Sequence, residues 1–180
     1  MSSAPTRYVV LLRAINVGKA RRVAMPRLRE ILTDAGYGDV VTHLNSGNVL
    51  LDSPLPEAEL AADLSAAIAK EFGFDVPVVL RTGEELAAVL AHDPFGDLTT
   101  DPSRYSVTFM SEPPAADKVG ALPPAEGPGE YVVHGRELYL WLPDGLSNSP
   151  MGLWKWDRLL GTAGTNRNWN TVRRLAELAA

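Results

Sequence analysis

Val40-Val41-Thr42-His43-Leu44-Asn45-Ser46-Gly47-Asn48-Val49-Leu50-Leu51-Asp52 sets turn-forming Asn45-Ser46-Gly47-Asn48 between two β-prone runs, the pattern of a β-hairpin. Toward the N-terminus, Met25, Leu28, Ile31, Leu32 and Ala35 recur at helical spacing, with Pro26 suited to a first turn and Gly36 or Gly38 to the stop. Before that helix, Tyr8-Val9-Val10-Leu11-Leu12 is a continuous apolar run, which predicts a central strand buried on both faces. Toward the C-terminus, Leu60, Leu64, Ile68 and Phe72 predict a second helix ending near Gly73. Val76-Pro77-Val78-Val79-Leu80 then reads as a strand whose proline suits a sheet edge. The order over residues 7–81 is βαββαβ, the ferredoxin-like split arrangement.

That order has a geometric consequence. A right-handed crossover makes strands one and two parallel and inserts strand three between them, antiparallel to both. The loop after strand one and the hairpin turn after strand two then share one edge of the sheet, so Leu12–Lys19 and Asn45–Asn48 should lie side by side.

Residues 82–180 read as a second, smaller α+β subdomain, with the whole chain 1–180 expected to form one compact unit. Thr82-Gly83-Glu84-Glu85 is a capping-box pattern ahead of a helix carrying Leu86, Val89 and Leu90. Asp93-Pro94-Phe95-Gly96 signals a loop, and Tyr105–Met110 alternates like a strand before a proline-rich connection without periodicity. Glu130–Val133 and Glu137–Leu142 make a hairpin over His134-Gly135-Arg136, and Met151 through Leu160 reads as one largely buried helix. Asn168 caps a last helix whose inward stripe is Trp169, Val172, Leu175, Ala176 and Ala179. No internal sequence repeat is evident.

The net charge of -5 conceals a segregation: residues 1–29 carry +7 and residues 146–180 carry +3, leaving -15 on residues 30–145. Basic termini brought together would attract anions in spite of the acidic total. No apolar run of about 18 residues is present to span a bilayer, and Met1–Arg7 lacks the apolar core of a secretory leader, so the expected setting is cytoplasmic. The chain has no Cys, which excludes disulfides, thiolate catalysis and zinc ribbons.

Three short stretches rich in Asn, Gly and Arg carry the functional signal: Leu12–Lys19, Asn45–Asn48 and Thr165–Asn170. Amides and guanidinium groups hold anionic or amide-bearing partners but supply no nucleophile or base. The expected ligand-binding set is therefore Arg13, Asn16, Gly18, Lys19, Asn45, Ser46, Gly47 and Asn48, with Arg167, Asn168 and Asn170 closing it from the C-terminal helix. Capping accounts for Asn168 and packing for Trp169, so Arg167 and Asn170 are the ligand candidates of the third stretch. A Walker loop is excluded because Arg13 stands where its first glycine belongs and Ala20 where its Ser or Thr belongs. His43, His92 and His134 are scattered and unaccompanied by clustered acids, so neither a metal nor another cofactor is expected. Nucleic acid is disfavoured because the two middle strands offer a single aromatic residue, Tyr8, and the centre of the chain is acidic. The partner expected instead is a small anionic or nucleotide-like ligand. The competing reading is a non-enzymatic interaction or oligomerisation module, in which the three stretches serve only turns and caps.

The strings Leu11-Leu12-Arg13-Ala14-Ile15-Asn16-Val17-Gly18, Leu44-Asn45-Ser46-Gly47-Asn48-Val49 and Thr165-Asn166-Arg167-Asn168-Trp169-Asn170-Thr171-Val172, in that order, carry a resemblance. The chain resembles the bacterial domain of unknown function 1697 family over nearly its whole length, including Asp93-Pro94-Phe95 and Leu142-Pro143-Asp144-Gly145. The resemblance implies an α+β protein with a ferredoxin-like first half and implies no established activity. The sequence departs from the family pattern at Ala14, where Gly is usual, and at Lys19-Ala20, where a Gly-Lys or Gly-Asn type sequence is usual.

Overall fold

Strand β1 (Thr6–Leu12) lies inside a four-stranded antiparallel sheet, between β3 (Asn48–Ser53) and β4 (Val78–Thr82), with β2 (Gly38–His43) beyond β3. The structure is a computed structural model and describes residues 4–180; Met1–Ser3, where the leader reading begins, lie outside the described residues. The order β2-β3-β1-β4 is what the β-α-β-β-α-β succession requires, with β3 antiparallel to both β1 and β2. Helix α1 (Met25–Asp34) buries Met25, Leu28 and Leu32, and α2 (Glu57–Phe72) buries Leu60, Leu64 and Ile68. These side chains form one core with Tyr8, Val10 and Leu12 of β1. Each fully buried leucine contributes about 2 kcal/mol. Val9, Leu11 and Leu50, on the opposite face, are buried as well, which is why the central run shows no alternation. Gly73 ends α2 with a left-handed φ of 81°.

At the end of β4 the backbone N–H of Thr82 donates to Glu85 Oε2 (2.8 Å) and that of Glu85 donates to Thr82 Oγ1 (3.1 Å), the reciprocal box that opens helix α3 (Gly83–His92). Thr82→Ala is expected to cost about 1 kcal/mol. The loss should appear as a lower urea midpoint at unchanged slope, and Thr82→Ser should recover most of it.

The remaining elements are β5 (Tyr105–Met110), α4 (Ala116–Gly120), β6 (Glu130–His134), β7 (Glu137–Trp141), α5 (Pro150–Leu153), α6 (Trp156–Leu160), β8 (Gly164–Asn168) and α7 (Trp169–Ala179). Their sheet is antiparallel in the order β6-β7-β5-β8, so β5 stands where β1 stands in the first sheet and β8 where β4 stands. The chain is thus an α+β protein with the same strand order twice, although its sequence carries no visible repeat. It divides into two compact units: one runs to Ala87 and takes in Leu175–Ala180, and the other is Ala88–Arg174.

Three elements differ from the sequence expectation. The proline-rich connection contains α4, a helix of only 5 residues. The segment 151–160 is two helices, because an unbroken helix would send residues two apart to opposite sides. The break at Trp154 and Lys155 instead sets both Trp154 and Trp156 against Tyr131, with ring centroids 6.0 and 5.2 Å away. Finally, Gly164–Asn168 is a strand paired to β5 through its whole length, Ser106 opposite Asn168 and Met110 opposite Gly164.

Candidate functional site

The first two stretches meet on one edge of the first sheet, and Asn16 joins them. Its Nδ2 donates to the carbonyls of Asn45 (2.7 Å) and Val23 (2.9 Å), while its Oδ1 accepts from the Val23 N–H (2.9 Å). Both amide hydrogens are therefore spent on backbone carbonyls, one in the loop and one in the hairpin turn. The Leu12 N–H donates to the Gly47 carbonyl (2.8 Å), which ties the end of β1 to the hairpin turn. Asn48 is fully buried and donates to the His43 carbonyl (2.8 Å) and to Ser46 Oγ (3.1 Å), closing the turn from within.

The loop between β1 and α1 is bent by left-handed residues, Ala14 (φ 54°), Asn16 (53°), Gly18 (61°) and Arg21 (53°). Asn tolerates this region, while Ala and Arg occupy it at a cost of about 1 kcal/mol or more each. At Ala14, where the resembled family usually carries glycine, the backbone has a conformation that glycine adopts freely. Arg21 holds the strained path in place: its Nε donates to the Ala14 carbonyl (2.8 Å) and its Nη2 to the Asp75 carbonyl (2.7 Å), with the guanidinium 5.0 Å from the Phe74 ring centroid. Lys19 and Arg22 stay exposed, as do Asn45 and Ser46 on the hairpin, and Arg13 is half-buried. The edge thus shows cations and small polar groups on a scaffold fixed by Asn16, Arg21, Gly47 and Asn48.

The third stretch belongs to the second unit. Asn168 Oδ1 accepts from the Thr171 N–H (2.9 Å) and caps α7, and Trp169 stacks on Tyr105 with centroids 4.2 Å apart. Asn170 is exposed on the first turn of α7. Arg167 is 6% exposed; its Nη1 donates to Thr165 Oγ1 (2.7 Å) and to the Asn166 carbonyl (2.8 Å). Burial lowers its pKa to about 10, so the guanidinium keeps its proton at neutral pH. Arg81 holds the equivalent place in the first sheet, opposite Val9 as Arg167 is opposite Val107, and it too is buried. A buried arginine thus recurs at matched positions of the two sheets.

Two further placements were not legible in the sequence. His92, at the end of α3, and His134, at the end of β6, stack face to face with ring centroids 3.8 Å apart. Asn166, between Thr165 and Arg167, bonds two hydroxyls on β5, with Nδ2 3.0 Å from both Ser106 Oγ and Thr108 Oγ1. Among the described residues, no group of three or more His, Asp or Glu is placed to hold a metal ion, and no helix is long and apolar enough to cross a membrane.

The doubled strand order and the loop-to-hairpin edge define an α+β protein of two sheet units. The profile of the family described as "Protein of unknown function (DUF1697)" matches residues 6–139, and the chain belongs to that family. It is similar in fold to the conserved bacterial protein SP0830 from Streptococcus pneumoniae, with a TM-score of 0.79 and 24% identity over 98% of this chain and 100% of that one. No curated protein matches the chain.

Proposed function

We propose that this chain is a binding protein whose first unit takes a small anionic or nucleotide-like ligand at the loop after β1 and the β2–β3 turn. The observation that carries this reading is a loop both cationic and rigid: Asn16 and Arg21 clamp its left-handed path while Lys19 and Arg22 remain exposed beside Asn45 and Ser46. Residues 1–29 contain no acid; Arg7 and Arg27 are paired with carboxylates from outside that segment, and the exposed Lys19 and Arg22 supply local positive charge for an anion although the chain as a whole carries -5. A loop already held in shape loses little conformational entropy on binding. A cytoplasmic setting is part of the same proposal and rests on the cysteine-free composition.

Thermal denaturation with inorganic phosphate, pyrophosphate and a nucleotide panel tests it. A ligand at a hundredfold its Kd should stabilise the protein by about 2.7 kcal/mol. The Lys19→Ala/Arg22→Ala variant should lose that shift while its ligand-free Tm stays put, since both side chains are exposed. A shift with inorganic phosphate or pyrophosphate that survives undiminished in the variant, or no shift with any anion, removes the proposal.

One observation favours the interaction-module reading. Val17 is 70% exposed and Leu44 54% exposed, and they flank the residues joined by the Asn16–Asn45 bond. On that reading Val17→Ser/Leu44→Ser alters self-association in light scattering and leaves every anion response unchanged.

A further inference from the structure

The matched strand orders allow the two sheets to be compared position by position. Val10 opposite Leu80 in the first sheet corresponds to Thr108 opposite Asn166 in the second, and Tyr8 corresponds to Ser106. In the first unit these three positions are apolar and pack with α1 and α2, helices of 10 and 16 residues. In the second unit all three are polar, and the α-helices of the connections are α4, α5 and α6, of 5, 4 and 5 residues. A short helix layer beside a polar sheet face leaves a cavity of about 500 Å³ lined by Thr108, Leu140, Trp154, Lys155, Trp156 and Asn166, within the size range of small-molecule sites.

Polar residues at core positions cost stability unless their hydrogen-bonding groups are used. Asn166 Nδ2 bridges Ser106 Oγ and Thr108 Oγ1, both at 3.0 Å, which leaves Asn166 Oδ1 and the protons of both hydroxyls without a hydrogen-bond partner among the described residues. Of these groups Asn166 and Thr108 line the cavity, and together they offer an acceptor and a donor side by side, suited to the edge of a nitrogen heterocycle. The wall is aromatic: Trp154 and Trp156 sit 5.2 Å apart at 45°, and Trp156 Nε1 is fixed by the Met151 carbonyl at 2.8 Å. Indole faces stack heterocycles regardless of their sequence of heteroatoms. The charged residues at this cavity are Lys155, Arg158 and Asp157, a net positive set in which the two exposed cations suit phosphate. Heterocycle edge, ring face and anion are thus matched within one cavity.

We propose that this cavity of the second unit binds a nucleoside monophosphate, with its base stacked on the indoles and read by Asn166, and its phosphate on Lys155 and Arg158. The site is separate from the sheet-edge loop of the first unit and stands or falls independently of it.

Tryptophan fluorescence and thermal denaturation, titrated with the four nucleoside 5′-monophosphates, the parent nucleosides and inorganic phosphate, test the assignment. At least one monophosphate should change the fluorescence and raise Tm, more weakly without its phosphate, and inorganic phosphate alone should leave the fluorescence unaltered. Trp154→Ala and Asn166→Leu, the latter restoring the apolar residue found at the first sheet's equivalent position, should each weaken binding by about tenfold or more. Lys155→Ala, at an exposed position, should also weaken it, while Lys19→Ala/Arg22→Ala should not. Circular dichroism confirms that each variant is folded. A fluorescence response that persists unchanged in Trp154→Ala, Asn166→Leu and Lys155→Ala, or none with any monophosphate up to millimolar concentration, overturns the proposal.

Discussion

Gly47→Ala is expected to lower stability by about 3 kcal/mol. Two causes combine. Gly47 has a φ of 88°, in the region where a Cβ strains the backbone, and a Cβ built there comes 2.7 Å from Ile15 Cδ1 and 2.8 Å from Leu12 Cβ. The Ile15 methyl can rotate away, but Leu12 Cβ is fixed by the backbone of β1, so the turn itself must move. Movement lengthens the bond from the Leu12 N–H to the Gly47 carbonyl, now 2.8 Å, and so detaches the turn from the sheet edge. Gly18→Ala is the control. Its φ is 61° and no atom lies within 4 Å of the added Cβ, so only the backbone strain applies, about 1 kcal/mol. Urea unfolding of the two variants separates crowding from strain; equal losses would show that the close approach at Gly47 carries no energetic weight.

The first unit was readable because its periodicities are clean. Tyr8–Leu12 is apolar at every position, and it is a strand with both faces buried. Leu60, Leu64 and Ile68 recur at four-residue intervals and form the buried stripe of α2. From those elements alone, crossover handedness requires that the loop after β1 meet the hairpin turn, and the Asn16–Asn45 bond is that meeting. The capping residues were readable for the same reason: Thr82 and Asn168 act on residues three further along, a distance set by helix geometry rather than by the fold.

The second unit hid its architecture behind polar residues. β8 reads Gly164-Thr165-Asn166-Arg167-Asn168, with no apolar side chain on either face, so alternation gives no signal. It is a strand because β5 offers it a complete ladder and because Arg167 and Thr165 can be buried together through their own hydrogen bond. The correspondence between the sheets was invisible for a related reason. Tyr8, Val10 and Leu80 share positions, not chemistry, with Ser106, Thr108 and Asn166. Likewise, composition signalled that Asn16 and Asn48 sit in turns, but whether their amides face a ligand or the loop depends on carbonyls as distant as Asn45, 29 residues on from Asn16.

Asn16→Ala is expected to cost about 2–3 kcal/mol, because it removes three hydrogen bonds at once at a net value of about 1 kcal/mol each. The Val23 N–H and carbonyl and the Asn45 carbonyl all lose their side-chain partner. A second contribution comes from the backbone, since Asn16 sits at φ 53° and Ala tolerates that region less well than Asn. Asn16→Gly removes the same three bonds but relieves the backbone, so it should fall short of the alanine variant's loss by about 1 kcal/mol. Asn16→Asp keeps the acceptor for the Val23 N–H but turns a second oxygen toward the two carbonyls that Nδ2 now serves. At neutral pH it should therefore be the least stable of the three. These variants also separate scaffold from ligand contact. If the sheet-edge loop binds an anion, Asn16→Ala weakens that binding even though Asn16 has no hydrogen left to offer a ligand, because Lys19 and Arg22 are then displayed on a loop no longer tied to the hairpin. Anion-dependent stabilisation that is undiminished in Asn16→Ala would mean that Lys19 and Arg22 act as freely moving surface charges, and that the clamped loop geometry contributes to the fold alone.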